Sequence, residues 1–155
     1  MSRRIPARAD TGARFGENCR RGNAVVETAL MAPWIFLLFL GVFDFGFYAY
    51  AAISTQQAAR VAALYTSSSS SNATDSAGAC TYALNALRYL PNMGSGVTSC
   101  GAGQPLQVTA TQVTGPDGSN ASQVSVTYQT IPLFPIPGLM GQMTITRTAE
   151  MRLGS

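Results

Sequence analysis

An apolar run opens at Ala24 and continues to Ile53, broken only by Glu27 and Asp44. Within it, Thr28 to Phe43 is an uncharged stretch of 16 residues. A spanning helix needs roughly 20. Letting the two interfaces reach Glu27 and Asp44 supplies the difference. The helical spacing then continues into ISTQQAARVAALY, residues 53–65, with Ile53, Gln57, Val61 and Leu64 on one side. A helix from Ala24 to Tyr65 would be about 60 Å long at 1.5 Å per residue, against a hydrocarbon core of about 30 Å. It is therefore expected to protrude beyond the bilayer. A secretory signal peptide has a shorter apolar core followed by a small-residue cleavage site; this run grades into more helix instead.

Residues 1–22 are polar and Arg-rich, with no helical or strand period, and are expected as a disordered leader; Asn23 is placed to cap the helix. TSSSSSNATDS, residues 66–76, is low in complexity and is expected as a flexible linker. Asp75 or Ser76 can cap a second helix near 77–90, with Cys80, Leu84, Leu87 and Leu90 on one face and Pro91 ending it. Three alternating segments follow: 105–114 through Leu106, Val108 and Ala110; 122–130 through Val124, Val126 and Tyr128; 142–153 through Met143, Ile145 and Arg147. GPDGSNA reads as the first hairpin loop, and the three prolines within 131–141 predict an apolar crossover loop. The predicted fold class is α+β: a long N-terminal transmembrane helix, then a small exported domain with one helix and a three-stranded antiparallel sheet. The expected domains are a leader (1–22), the membrane and protruding helix (23–65), the linker (66–76) and the exported domain (77–155).

Composition sharpens the membrane reading. The chain is 46% hydrophobic and 11% charged, where soluble domains carry roughly 25% charge. The net charge of +3 is segregated. Arg3, Arg4, Arg8, Arg14, Arg20 and Arg21 precede the apolar run, and Arg60, Arg88, Arg147 and Arg152 follow it. This asymmetry keeps the N-terminus cytoplasmic and exports the rest. It reads as a topogenic tail, so no nucleic-acid partner is expected.

The chemistry available is narrow. The chain has no His, and its Cys and acids form no cluster with metal-ligand spacing. The glycine turns match no phosphate loop. No catalytic, cofactor-binding or metal residues are expected, and the chain is not expected to be an enzyme. Cys80 and Cys100 fall in the exported part, where an oxidising compartment favours a disulfide; the alternative is two free buried thiols. Cys19 lies on the reducing side.

Glu27 is the feature that calls for explanation. Near the helix start it gains from the dipole, worth a few tenths to about 1 kcal/mol. Deeper in lipid a carboxylate costs about 2.5–3.5 kcal/mol and marks function. Cutting after Gly22 would create a cation, the α-amine of Asn23, and Glu27 is the fifth residue counted from Asn23. In a bundle of such helices, one chain's Glu27 can pair with a neighbour's amine and set register. Asp44 lies about 25 Å further along the helix and is expected at the outer interface, with a packing contact as the alternative. Pro33 removes a backbone hydrogen bond and is expected to kink the helix. Gly46, Ala49 and Ala52 allow close helix packing. Phe36, Phe43, Phe47 and Tyr50 form a stripe expected to face lipid or a partner.

Basic leader, Gly22, Asn23, Glu27 and an apolar helix together resemble the type IV prepilin processing site. GNAVVETALMAP, the stretch from Gly41 to Gly46 with Asp44 and Phe45, and the Ala59-Arg60 and Ala62-Ala63 steps are similar to the TadE-like family of tight-adherence (Flp) pilus assembly proteins. The likeness covers about residues 22–65, with a similar tail ending in AEMRL. Thr28 departs from the aromatic residue often found after this Glu. The resemblance implies a minor pilin or pseudopilin, cut between Gly22 and Asn23 by a prepilin peptidase. Glu27, Pro33 and Asp44 would serve assembly. Implied partners are the peptidase, other Tad pilins and pseudopilins, the inner-membrane assembly machinery and membrane lipid, and the implied location is a bacterial inner membrane. Cleavage would remove six of the ten Arg along with Asp10 and Glu17, leaving four Arg against five acids, and would leave Cys80 and Cys100 as a pair. The rival reading is an uncleaved, membrane-anchored adhesion or binding domain.

Overall fold

The computed structural model describes residues 15–94, 96–132 and 141–154, with side chains from Ala24 onward. Its elements are α1 (Phe15–Ser67), α2 (Ser76–Leu87), β1 (Leu106–Thr114), β2 (Asn120–Gln129) and β3 (Thr144–Arg152). The class is α+β, as the hydrophobic pattern predicts. The chain divides into two compact units, Met1–Phe43 and Asp44–Ser155. Each contains part of α1.

In the first unit α1 begins at Phe15 rather than at an Asn23 cap. Once a helix is nucleated, each added residue gains a hydrogen bond without repeating the nucleation cost. Glu17, Arg20 and Arg21 are good helix formers, and Gly22 costs only about 1 kcal/mol. The helix also runs through Pro33 without ending. Large apolar side chains from Val25 to Phe39 are all more than half exposed. Ala24–Ser67 is, among the described residues, the one helix long and apolar enough to cross a membrane.

The second unit is a three-stranded antiparallel sheet in the order β1-β2-β3, with α2 beside β1 and the rest of α1 sharing its core. Register places Val108 opposite Val126, Val124 opposite Ala149 and Tyr128 opposite Ile145. The alternation predicted for β1 and β2 is the one observed: Leu106, Val108, Ala110, Val124, Val126 and Tyr128 are buried. In β3 only Ile145 is fully inside, while Met143 and Arg147 are exposed. The hairpin between β1 and β2 closes through Gly115 N–H to Ser119 O at 2.8 Å, with Gly118 at φ 75°. That left-handed conformation favours glycine. The crossover predicted for 131–141 falls mostly on residues 133–140, outside the described residues.

α1 packs with an unexpected face. Its buried positions are Asp44, Tyr48, Ala51, Thr55, Ala58, Ala59, Ala62, Ala63 and Thr66. The Ile53, Gln57, Val61 and Leu64 side looks outward, with Ile53 63% and Leu64 59% exposed. Alanines let the helix approach closely, so the bulk comes from Leu87, Leu106, Val124, Val126 and Tyr128 in the shared core. Dense packing fixes only the sum of facing volumes, and here the large residues sit opposite the small ones.

The serine-rich stretch is a run of tight turns, not a loose linker. Asn72 N–H reaches Ser69 O, Ala73 N–H reaches Ser70 O, and Asp75 N–H reaches Asn72 O. Ser122 of β2 donates to Thr66 Oγ1 at 2.7 Å and lies 3.0 Å from Ala73 O, and all three residues are buried. Gly154 N–H donates to Ser67 O. Serines satisfy their own backbone at such turns, and β2 and the C-terminal strand then hold the run in place.

Candidate functional site

The membrane-type helix carries the candidate residues. Glu27 is exposed on α1. Beside it, Thr28 donates its hydroxyl back to Ala24 O at 2.9 Å, the local bond a helical Thr makes when nothing else is in reach. Among the described residues the ion pair is Arg152–Asp117 at 3.3 Å, far along the chain, so Glu27 has no cation of its own there. Gly22 and Asn23 lie within helical turns. Phe36, Phe43 and Tyr50 are exposed and Phe47 is half-buried, consistent with a stripe facing outward. Gly46 has open space where a side chain would begin, and Ala49 is exposed.

Asp44 is 3% exposed, so it belongs to the packed face of the second unit rather than to an outer interface. It occupies the same stripe as Tyr48 and Ala51, one and two turns on, which turn toward the core. Tyr48 donates its hydroxyl to Gly141 O at 2.7 Å, and Thr130 accepts from Met143 N–H at 2.9 Å. These bonds fix the start of β3 to the helix and to the end of β2.

At the far end of α1 a second cluster holds the turn into α2. Asp75 caps α2 by accepting from Gly78 N–H at 2.9 Å and Ala77 N–H at 3.1 Å. Its other oxygen accepts the Tyr65 hydroxyl at 2.8 Å. The Gly78 amide, then the Tyr65 hydroxyl, hold the carboxyl below the usual aspartate range. Tyr65 also stacks on Tyr82 with ring centroids 4.7 Å apart. A Cβ at Gly78 would collide with the Asp75 carboxylate and the Tyr65 ring. Asp117 is likewise held low, first by the Ser119 hydroxyl and amide.

Cys80 and Cys100 are joined as a disulfide, Cα–Cα 5.9 Å, tying α2 to the segment before β1. Tyr128 is fully buried and its hydroxyl has no hydrogen-bond partner among the described residues. Burial pushes its pKa upward. No group of three or more metal-ligating side chains occurs among the described residues. An open groove of about 520 Å³ lies along α2 between Thr81, Leu84, Asn85, Arg88, Tyr89 and Val97. It gathers no nucleophile with a base.

Of the residues predicted from sequence, Glu27 and Pro33 sit together on the exposed helix, Asp44 is buried in the other unit, and the two cysteines meet. Asp75 caps α2 as the sequence predicts; its contacts with Tyr65 and Gly78 were missed. The alanine face was missed because alanine carries little hydrophobic weight in a periodicity count.

Residues 22–64 match the family model of TadE-like protein. This is the stretch on which the sequence likeness rested, and it associates this segment with Tad-pilus-related proteins. No curated protein matches the chain, and no solved structure does.

Proposed function

We propose, from the TadE-like segment at residues 22–64, that the protein is a non-catalytic minor pilin or pseudopilin acting in assembly of a bacterial Flp (Tad) pilus. A prepilin peptidase hydrolyses the Gly22–Asn23 peptide bond. The chain is then held by one helix in the inner membrane, with its N-terminus cytoplasmic and the α+β unit exported. Arginines before the span and their scarcity after it support that orientation. Gly22 is the weakest helix former at the cut, which favours local unwinding there.

The observation that carries the reading is Glu27: an exposed carboxylate without a partner among the described residues, on an otherwise apolar helix that is itself exposed. In lipid that arrangement is unfavourable, by up to about 2.5–3.5 kcal/mol at the bilayer centre, until a cation reaches it. The Asn23 amine of a neighbouring mature subunit supplies one, and so couples helix register to assembly. Other Tad pilins, pseudopilins and the membrane assembly machinery are the partners of this surface.

Glu27→Ala tests the role. The variant is expected to insert into membranes as the parent does and to lose co-purification with pilus components. Undiminished co-purification contradicts the role. A second reading, an uncleaved anchored binding domain, is favoured by one observation: α1 passes through Gly22–Asn23 without interruption.

A further inference from the structure

Among the described residues β3 is an edge strand, paired to β2 on one side. Its hydrogen-bonding phase is fixed at both ends. Thr130 N–H donates to Met143 O, and Leu153 N–H donates to Asn120 O, both pairs lying on the β2–β3 register. Odd-numbered residues of β3 therefore bond to β2, while Thr144, Thr146, Thr148 and Glu150 direct their backbone groups to the open edge. The same alternation puts Arg147 on the core side of the sheet, opposite Val126 and between the inward Ile145 and Ala149.

Arg60 of α1 borders the same groove as Arg147. The two arginines line one groove of about 360 Å³ with Ala52, Ile53, Gln56 and Gln57. Both are exposed, and neither has an ion pair among the described residues. The carboxylates described in this unit are placed elsewhere: Asp44 is buried, Asp75 is bonded to α2 and Tyr65, Asp117 pairs with Arg152, and Glu150 is on the opposite face of β3. Two guanidiniums and two side-chain amides beside a strip of Ala and Ile form a cationic notch whose lining holds no carboxylate. Its rim is the outer edge of β3, open among the described residues.

We propose that this edge receives an extended strand of another polypeptide, bearing a carboxylate at the position that turns inward beside Arg147. Main-chain hydrogen bonds to the even-numbered residues give affinity. The Arg60–Arg147 notch selects the acid, because guanidinium–carboxylate bonds are charge-assisted and directional. A second copy fits poorly, since edge-to-edge pairing would bring the arginines of both copies to one seam. The inference goes beyond the assembly role and is independent of Glu27, which lies in the other unit.

Two fluorescent nine-residue peptides test it on the full-length protein in detergent micelles. Both alternate Val and Thr, one with Glu and one with Lys at the central inward position. The Glu peptide is expected to bind at least tenfold more tightly than the Lys peptide to the unaltered protein. Arg60→Glu with Arg147→Glu is expected to reverse that order. Thr148→Pro removes one edge N–H and no ladder bond; it is expected to abolish binding of both peptides while the circular dichroism spectrum is unchanged. Equal binding of the two peptides, no binding, or full binding to T148P overturns the proposal. So does self-association of the unaltered protein that T148P disperses, which would assign the edge to a second copy.

Discussion

One helix carries two opposite chemistries. From Val25 to Phe39, α1 bears Val, Leu, Met, Trp, Ile and Phe, and all are more than half exposed. From Ala51 to Thr66 its buried positions are Ala and Thr. Bulk points outward in the first stretch because the surroundings it suits are lipid chains, which any apolar side chain satisfies without shape matching. In the second stretch the helix meets a sheet of fixed shape, and close approach matters more than side-chain volume. Hydrophobicity alone therefore identifies the exposed part, long and apolar enough to cross a membrane, and misreads the packed part. The packed face is made of the least hydrophobic apolar residues, while Ile53 and Leu64 remain outside.

The contrast can be broken in several ways. The largest effect on the folded unit is expected from the disulfide. Cys80→Ser with Cys100→Ser opens a loop of sequence separation 20, worth about 3 kcal/mol in the chain-entropy account. Denaturant unfolding with and without reductant is expected to show that loss in the parent and no reductant effect in the variant. Next, Ala59→Leu forces volume into a fully buried site and is expected to destabilise by about 1–3 kcal/mol. Leu38→Ala in the exposed stretch is expected to leave the thermal midpoint of the same unit within the range of surface changes, about 0.5 kcal/mol. Equal effects of the two would erase the distinction between the halves.

Gly78→Ala is expected to be smaller because two effects oppose. Alanine gains about 1 kcal/mol in helix propensity over glycine. Overpacking against Tyr65 and Asp75 costs about 1–3 kcal/mol. The net is a loss of about 1 kcal/mol, read as a lowered thermal midpoint; a raised midpoint would show that Tyr65 yields freely. The smallest effect is pH-dependent. The Asp75 carboxyl is depressed in the fold, so its contribution is fully present above the unfolded value of about 3.9 and is lost as pH falls through the folded value. Asp75→Asn is expected to flatten that part of the acid limb of the stability curve.

Much of this was legible. Leu106, Val108, Val124, Val126 and Tyr128 announced their strands because period-2 alternation survives only when one face is buried. The cysteine pair was legible from export and number. The buried Asp44, the outward Ile53 face and the ordered serines were not. Each depends on which surfaces of distant segments meet: β2 reaches back through Ser122 to Thr66 and Ala73, a contact that local composition does not encode. The helicity of residues 15–22 was hidden for a different reason. These residues have no amphipathic period and extend a helix nucleated further along the chain.

The central claim, processing that frees an amine for Glu27, is tested most directly by the intact mass and N-terminal sequence of the protein purified from the membranes of its own host. The account predicts a chain beginning at Asn23. A chain that retains Arg20, Arg21 and Gly22 contradicts it and leaves Glu27 as an interfacial residue of an anchored domain.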